Sequence, residues 1–564
     1  MESATADAGR TNHLTWVRNQ MPVIKFDGRE IPFEKGDSII RAADRQGIEI
    51  PHYCWHPGLS VAANCRMCLV EVSRPGGRQM MLDVLAWDEE KKAYVPQKKP
   101  KLEPACQAEC VEGMEVKSDS SPHVALARKS VQEMLLLNHP VDCPICDQAG
   151  ECKLQDYWLE NQKTSKRMLD EPVHKPKAVI FGDTIVYDAE RCIVCTRCVR
   201  FMEEVAGDAV LEKRERGNLS EIVLAAGRKL EGHYTMMVDH VCPVGALTTR
   251  DFRFKARVWF LRKSKTICPG CATGCNAWLD YDPRTGEVPR LRPRDNVEVN
   301  KYWMCDDGIL SHRRVQQDRV LRASIGRKNS REQVTPVKAL ASAADLLRAA
   351  KGKIAFILSA QRASEDNFAL ATLAKKLGAK ELYVAKLPEW DGDEILRDKD
   401  HNPNTRGATA AAGDLPIKPM ADLVEPVVGA QIQLLVALGG WADIDSMTIG
   451  SLGRAKGIAV ASNEGPLTEL ADVLLPAASW AEQDGTFTNR NGLAQSFGAG
   501  PRPAGDGLPG WEVVVHLAKA AGVDLGFTTL KQLRAAMPAS SLVTPQTKKA
   551  EATTDATASA GAAE

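Results

Sequence analysis

No cysteine follows position 305 in this chain of 564 residues, and none precedes Cys54. All sixteen fall between those points. A secreted disulfide framework is disfavoured, because it goes with a signal sequence and usually a short chain, and its cysteines do not keep falling into C-x-x-C pairs. The signal is missing as well: "MESATADAGRTNHLTWVRNQ" has no apolar stretch, carries acids and is not arginine-rich. No segment reaches the ~18 uninterrupted apolar residues of a membrane span. Net charge is also absent. Lysine plus arginine equals aspartate plus glutamate at 73 each, which removes the electrostatic reason for binding nucleic acid or an anionic membrane surface. What remains is a soluble protein of a reducing interior, too long for one core, since single cores stop growing near ~250–300 residues. Metal or cluster ligation is the better reading of the cysteines, and it is confined to the first 305 residues.

The stretch "MPVIKFDGREIPFEK" alternates apolar and polar residues around Asp27-Gly28 and predicts a two-stranded hairpin. In "GDSIIRAADRQGIEIP", Asp37 is placed to cap a short helix that carries Ile39, Ile40 and Ala43 and ends at Gly47. A cysteine loop follows, "CWHPGLSVAANCRMC", then the strand-like "LVEV". Residues 86–103 are charged and aperiodic, which reads as a surface insertion. Ser121 and Pro122 open a helix with Val124, Ala127, Val131, Met134 and Leu135 at helical spacing, delivering His139 at its end; Pro140 and Pro144 put Cys143 and Cys146 in a loop. After about 330 the texture becomes strands alternating with helices ("KIAFILS", "SEDNFALATLAKKLG", "ELYVAK", "IQLLVALGG", "GIAVAS", "ADVLLP"), which argues for a parallel α/β sheet. The Ala/Thr/Ser-rich residues from about 538 read as a disordered tail.

A four-iron cluster takes one protein ligand per iron, and a C-x-x-C-x-x-C run wraps three corners while a remote cysteine closes the fourth. Cys192, Cys195, Cys198 and Cys242, the last followed by proline, fit that description. A structural zinc site also uses four thiolates, but usually from two separate C-x-x-C pairs. Cys54, Cys65, Cys68 and one later cysteine suit a two-iron cluster on a β-grasp ferredoxin-type scaffold, with Cys106 and Cys110 both in reach as the fourth ligand. Cys143, Cys146 and Cys152 make a three-ligand set, and counting assigns His139 as its fourth member. Replacing a thiolate by a neutral imidazole removes one negative charge, so by analogy with Rieske centres the potential of that cluster rises. Cys268, Cys271, Cys275 and Cys305 make a further quartet. His52 and His56 flank Cys54 beside a complete quartet and read as structural. Arg66, Arg197 and Arg200 sit among the thiolates, either balancing cluster charge, facing a partner or simply solvated.

In this order, "CWHPGLSVAANCRMC", "HPVDCPICDQAGEC", "RCIVCTRCVRF", "CPVGAL" and "CPGCATGC" make the sequence resemble the large iron–sulfur subunit (G-type, 75 kDa subunit-like) of bacterial NADH:quinone oxidoreductase, respiratory complex I, over about residues 21–320. The resemblance implies a [2Fe–2S] cluster on the first quartet, with Cys106 as its fourth ligand from the "PAC" context and Cys110 spare. It implies [4Fe–4S] clusters on the His139, Cys192 and Cys268 quartets, the last an additional cluster off the main electron route. Residues after 330 look like a shortened molybdopterin oxidoreductase domain, and "ADVLLPAASWAEQDGTFTNRNG" is similar to a stretch recurring there. The domain is too short to enclose two pterins and has no cysteine for the metal, so a scaffold without molybdenum is expected. "LGG" at 438–440 is too weak to imply a nucleotide.

The expected architecture is multidomain, α+β and α/β. It comprises a β-grasp [2Fe–2S] domain (21–107), a His/Cys3 [4Fe–4S] domain (108–165), a ferredoxin-like [4Fe–4S] domain (166–262), a [4Fe–4S] domain of molybdopterin-oxidoreductase type (263–325), a degenerate molybdopterin-oxidoreductase-like α/β domain (326–535) and the tail (536–564). The expected function is a one-electron wire with no catalytic triad, hydride site or phosphate cradle, so the chain itself binds neither NADH nor quinone. Its expected partners are the flavin-bearing NADH-oxidising subunit and the downstream iron–sulfur and quinone-site subunits, with the membrane arm engaged only indirectly. The expected location is peripheral, on the cytoplasmic side of the bacterial inner membrane. Two alternatives stand beside this: the wiring part of an NAD-linked formate dehydrogenase or a hydrogenase, disfavoured by the short C-terminal domain and the missing downstream cysteines, and a zinc-stapled scaffold, disfavoured by the triple cysteine run.

Overall fold

The computed structural model describes residues 21–163, 165 and 167–538, so the N-terminal stretch and the tail from 539 lie outside the described residues. The described residues form two compact units: residues up to 230 with 241–250, and residues 231–240 with those from 251 onward. The segment carrying Cys268 to Cys305 thus packs with the C-terminal α/β domain.

The first unit opens with the expected hairpin. Val23–Phe26 pairs antiparallel with Arg29–Pro32, and the turn residues Asp27 and Gly28 take φ of +42° and +84°, the left-handed pair a tight two-residue turn demands. The hairpin joins a five-stranded sheet in the order Arg29–Pro32, Val23–Phe26, Glu115–Lys117, Leu69–Ser73, Leu102–Pro104, with a parallel pair at its centre. The helix Ile39–Arg45 buries Ile39, Ile40, Ala42 and Ala43, and these pack in one core with Ile24, Phe26, Val70, Val72 and Val116, the arrangement of a β-grasp. Each fully buried Ile or Val there contributes about 1.5–3 kcal/mol relative to exposure. Asp37 does not cap this helix. Ser38 occupies the cap position without a side-chain bond, and the Asp37 carboxylate accepts instead from Glu34 N and Arg45 Nη1.

The expected aperiodic insertion is in fact an antiparallel arm, Met81–Asp88 against Ala93–Pro100, with Trp87 edge-on to Tyr94 across the strands. Its charged residues mask the alternation because both faces of the arm meet solvent. The helix Pro122–Leu136 starts as expected, Ser121 Oγ accepting from Val124 N. Its inner face differs from the apolar set: Val124, Arg128 and Gln132 are buried while Met134 is 70% exposed. The buried polar groups are matched, Arg128 to Asp119 and Ser118, Gln132 to Tyr53 and the Leu154 carbonyl. The strands Val179–Phe181, Ile185–Tyr187 and Leu247–Thr249 make a small antiparallel sheet.

In the second unit, Arg262–Ile267, Asn276–Tyr281 and Arg290–Pro293 form an antiparallel sheet. An eight-stranded sheet runs Glu332–Gln333, Ser324–Ile325, Val473–Pro476, Lys456–Ala461, Leu434–Leu438, Ile354–Ser359, Leu382–Ala385, Ile417–Pro419. Its six strands from Val473–Pro476 to Ile417–Pro419 pair in parallel, as the alternation predicts. "LLVAL" is buried at every position, the continuous apolar run of a strand covered on both faces.

Candidate metal centres

The first quartet sits where the helix Ile39–Arg45 hands the chain into the loop Tyr53–Cys68. That loop curls through Ala63 and Arg66 at φ of +47° and +60°. Cys106 enters from the turn after Leu102–Pro104, which is stapled by Ala105 N donating to Cys68 O (2.9 Å) and Ile40 N donating to Ala105 O (3.0 Å). Cys54 and Cys65 are hydrogen-bonded through their thiols, as are Cys68 and Cys106. The partner thiol, then burial, pushes Cys65 and Cys68 far above the ordinary thiol range. Cys110 is buried apart from these four; burial and then Asp37 push its thiol up to about 12. The structure therefore brings Cys106, and not Cys110, to the other three thiols of the first quartet. His52 Nδ1 donates to the Ile50 carbonyl (2.7 Å) and the ring packs edge-on to Trp55, while His56 Nδ1 accepts from Gly58 N (3.1 Å). Arg66 is exposed.

His139, Cys143, Cys146 and Cys152 line one cavity together with Leu136, Leu154, Trp158, Arg191 and Gly245. Cys143 opens a single 3-10 turn, Cys143–Ile145, and Cys152 occupies the cap position of the helix Lys153–Asn161. His139 Nδ1 is buried with no hydrogen-bond partner. Burial, then Arg191, holds the ring neutral, near 4. A buried ring nitrogen of a neutral imidazole is costly when it has no partner, and a metal bound at its lone pair would relieve that cost.

Cys192, Cys195, Cys198 and Cys242 line a cavity walled by Tyr187, Ile193, Ile222, Val244 and Leu247. Val194 and Thr196, at φ of +52° and +60°, curl the run, and Val194 N donates to Cys192 Sγ (3.3 Å). Burial pushes Cys192 to about 11 and Cys198 well above the thiol range. In the second unit, Cys268 and Cys275 flank the loop between two strands, tied by Cys268 N donating to Cys275 O (2.8 Å). Gly270 N donates to Cys268 Sγ (3.4 Å) and Gly308 N to Cys305 Sγ (3.3 Å). A Cβ on Gly308 would stand 3.0 Å from Cys268 Sγ and 3.4 Å from Cys305 Sγ, so both sulfurs lie over this glycine.

Dry thiols aimed into one cavity stay protonated unless a metal replaces the proton, and backbone N–H groups directed at sulfur are the surroundings that a thiolate-bound cluster uses. The residues present fit such clusters. Among the described residues, no three His, Cys, Asp or Glu side chains close tightly enough to hold a single metal ion. Sequence reasoning missed two contributors. Gly245, in "CPVGAL", faces the second quartet: a Cβ there would overlap Cys146 Sγ. Gly308, in "CDDG", does the same for the fourth. Arg200 reaches backbone carbonyls of two ligand loops. The signal for the glycines was their short spacing after Cys242 and Cys305.

Residues 20–121 match the model of a 2Fe-2S iron-sulfur cluster binding domain, 128–167 that of the NADH-ubiquinone oxidoreductase-G iron-sulfur binding region, and 182–248 that of the NADH-quinone oxidoreductase subunit 3 ferredoxin-like domain. Residues 402–520 match the molybdopterin oxidoreductase model. Fold and sites together define an iron–sulfur protein with 2Fe-2S and 4Fe-4S binding domains joined to a molybdopterin-oxidoreductase-like domain. Its homologues are the large iron–sulfur subunits of complex I. The G subunit of NADH-quinone oxidoreductase from Streptomyces coelicolor is 35% identical over 62% of this chain and 39% of the relative; that of Rickettsia conorii is 34% identical over 64% and 50%. The mitochondrial NADH-ubiquinone oxidoreductase 78 kDa subunit of Candida albicans is 35% identical over 63% and 46%. The chain thus matches half or less of the length of these relatives.

Proposed function

We propose that the chain is the electron-transfer subunit of an NADH:quinone oxidoreductase, with a [2Fe–2S] cluster on Cys54, Cys65, Cys68 and Cys106. Three [4Fe–4S] clusters would be held by His139, Cys143, Cys146 and Cys152; by Cys192, Cys195, Cys198 and Cys242; and by Cys268, Cys271, Cys275 and Cys305. When bound, such clusters supply reversible one-electron couples, the chemistry a relay between an NADH-oxidising flavin and quinone needs.

The observation that carries this reading is the stapling of three quartets to one another. Arg200 spans the loops of the first and third quartets, reaching the carbonyls of Cys54 (2.6 Å) and Cys195 (3.4 Å). The segment closing the third quartet touches the second: Lys153 N donates to Pro243 O (3.2 Å), and Gly245 leaves room for Cys146 Sγ. The third quartet is therefore joined to both the first and the second, and a relay passing through it needs no moving part. Apolar walls exclude water around the third cavity, which keeps the medium's reorganisation on charge transfer small.

The proposed partners are a flavin-bearing NADH-oxidising subunit on one side and a downstream iron–sulfur subunit leading to the quinone-site subunit on the other. The chain would work as a peripheral subunit on the cytoplasmic side of the bacterial inner membrane; among the described residues no helix is long and apolar enough to cross a membrane. The fourth quartet, in the other unit, would serve off this route, and the domain after 326 would act as scaffold without molybdenum. Iron, acid-labile sulfide, zinc and molybdenum per chain, measured on anaerobically purified protein, test the reading. About fourteen irons with matching sulfide support it. Molybdenum near one per chain makes the chain a catalytic oxidoreductase instead, and zinc in place of a cluster's iron makes that quartet a structural staple.

A further inference from the structure

Two guanidinium groups lie between the first and third quartets, Arg200 buried and Arg197 half-buried. Arg200 is 8% exposed. Its Nη2 donates to the carbonyls of Cys54 and Cys195 and its Nη1 to that of Ser60. Arg197 donates to the carbonyls of Trp55 and Val241 (3.4 Å for the latter). Every acceptor is a neutral backbone oxygen from a ligand-bearing loop, and the Nε of each arginine is buried without a partner. No carboxylate lies within ion-pair distance of either group among the described residues.

A buried cation without a counter-ion is strongly unfavourable, and arginine does not escape by losing its proton. Something negative has to face these two. A cluster held by four thiolates carries net negative charge, and reduction adds one more; a fixed cation nearby in a poorly screened interior favours the reduced form. We propose that Arg197 and Arg200 are the shared counter-charges of the first and third clusters and raise the reduction potentials of those two centres specifically. This rests on the ligand sets proposed above. The same guanidinium forks hold the two loops at fixed separation, helped by Glu204, which accepts from Ser60 N (2.8 Å), and by Asn64 Nδ2 donating to Val194 O (3.2 Å). Charge and spacing are thus set by one element, the first turn of the helix Arg197–Glu204.

The test uses the full chain purified anaerobically, in wild-type form and as R197Q, R200Q, R197K and R200K. Iron and sulfide are counted first, and each cluster is then titrated by electron paramagnetic resonance at controlled potential. A wild-type chain lacking the irons fails the ligand sets and takes this inference with them. With the irons present, each glutamine variant is expected to lower the reduced-to-oxidised ratio of the first and third centres about tenfold at fixed potential, about 59 mV for a one-electron couple. The second and fourth centres stay put, and the lysine variants shift less. Loss of the first or third cluster in the glutamine variants but not the lysine variants also supports the proposal, because charge is then what assembly requires. Intact clusters with unmoved potentials overturn it. Equal shifts in all four centres overturn it too, as does cluster loss in the lysine variants, which would make guanidinium shape the requirement.

Discussion

Gly245→Ala is the sharpest single perturbation of a metal site available in this chain. The added methyl would overlap Cys146 Sγ and stand 3.0 Å from Gln148 Cβ. Non-bonded carbon contacts settle near ~3.5–4.0 Å, so the sulfur has to retreat by on the order of 1 Å, and the Gln148 side blocks the methyl's other way out. Metal–ligand distances tolerate only about ±0.2 Å. The overlap is relieved by rotating Cys146 away, which preserves the fold but removes a ligand. Overpacking of this kind costs about 1–3 kcal/mol in stability, less if Cys146 rotates freely. The expected outcome in G245A is loss of about four irons per chain and of the second cluster's resonance, with the other centres retained. Gly450 is the control. It lies in the helix Ser446–Leu452, where a Cβ meets nothing within 4 Å, so G450A is expected to be neutral or to stabilise by up to about 1 kcal/mol. A G245A protein with full iron and an unaltered second resonance would refute the steric reasoning.

Histidine ligation predicts that H139C keeps the second cluster at a lower potential, because a thiolate adds one negative charge, while H139A loses it; unchanged cluster content and spectra in both variants rule the ligand out. For the two-iron centre, C106A is expected to lose the cluster and C110A to keep it, read from iron count and absorbance, and the reverse would reassign the ligand. Because burial and Asp37 raise Cys110 to about 12, its thiol stays protonated at pH 8.5; iodoacetamide mass mapping at that pH is expected to label it only after unfolding, and rapid native labelling contradicts the burial. The buried pair Arg319–Glu482, 8% and 3% exposed at the side chains, predicts that E482Q destabilises the C-terminal domain by about 3–5 kcal/mol, since it strands a buried guanidinium; a loss under 1 kcal/mol in thermal denaturation would show the pair to be dispensable.

Much of the molecule was legible because its signals are local. The Asp27-Gly28 turn has one hairpin solution, and the five apolar runs after residue 350 read as strands are strands at their expected positions. Where reading failed, solvent or a distant partner made the decision. The arm Met81–Asp88/Ala93–Pro100 hides its alternation because neither face is buried in a core. The inner face of the helix Pro122–Leu136 is polar because Arg128 and Gln132 find acceptors on other segments. Asp37 binds Arg45 and leaves its helix uncapped.

Which residues could bind metal was already written in the order of the chain. Thiol chemistry and C-x-x-C spacing are local properties, and a histidine placed beside three cysteines is visible by counting. That order left Cys106 and Cys110 equally placed, and it could not tell whether Arg66, Arg197 and Arg200 face solvent or sulfur. Packing in three dimensions decides which groups lie together and which are covered. The bond from Ala105 N to Cys68 O swings Cys106 inward, and the packing of the Cys54 loop on the helix Arg197–Glu204 buries Arg200 while Arg66 remains in water. Burial, and hence the effective charge one group feels from another, depends on what packs over it, and spacing along a chain carries no record of that.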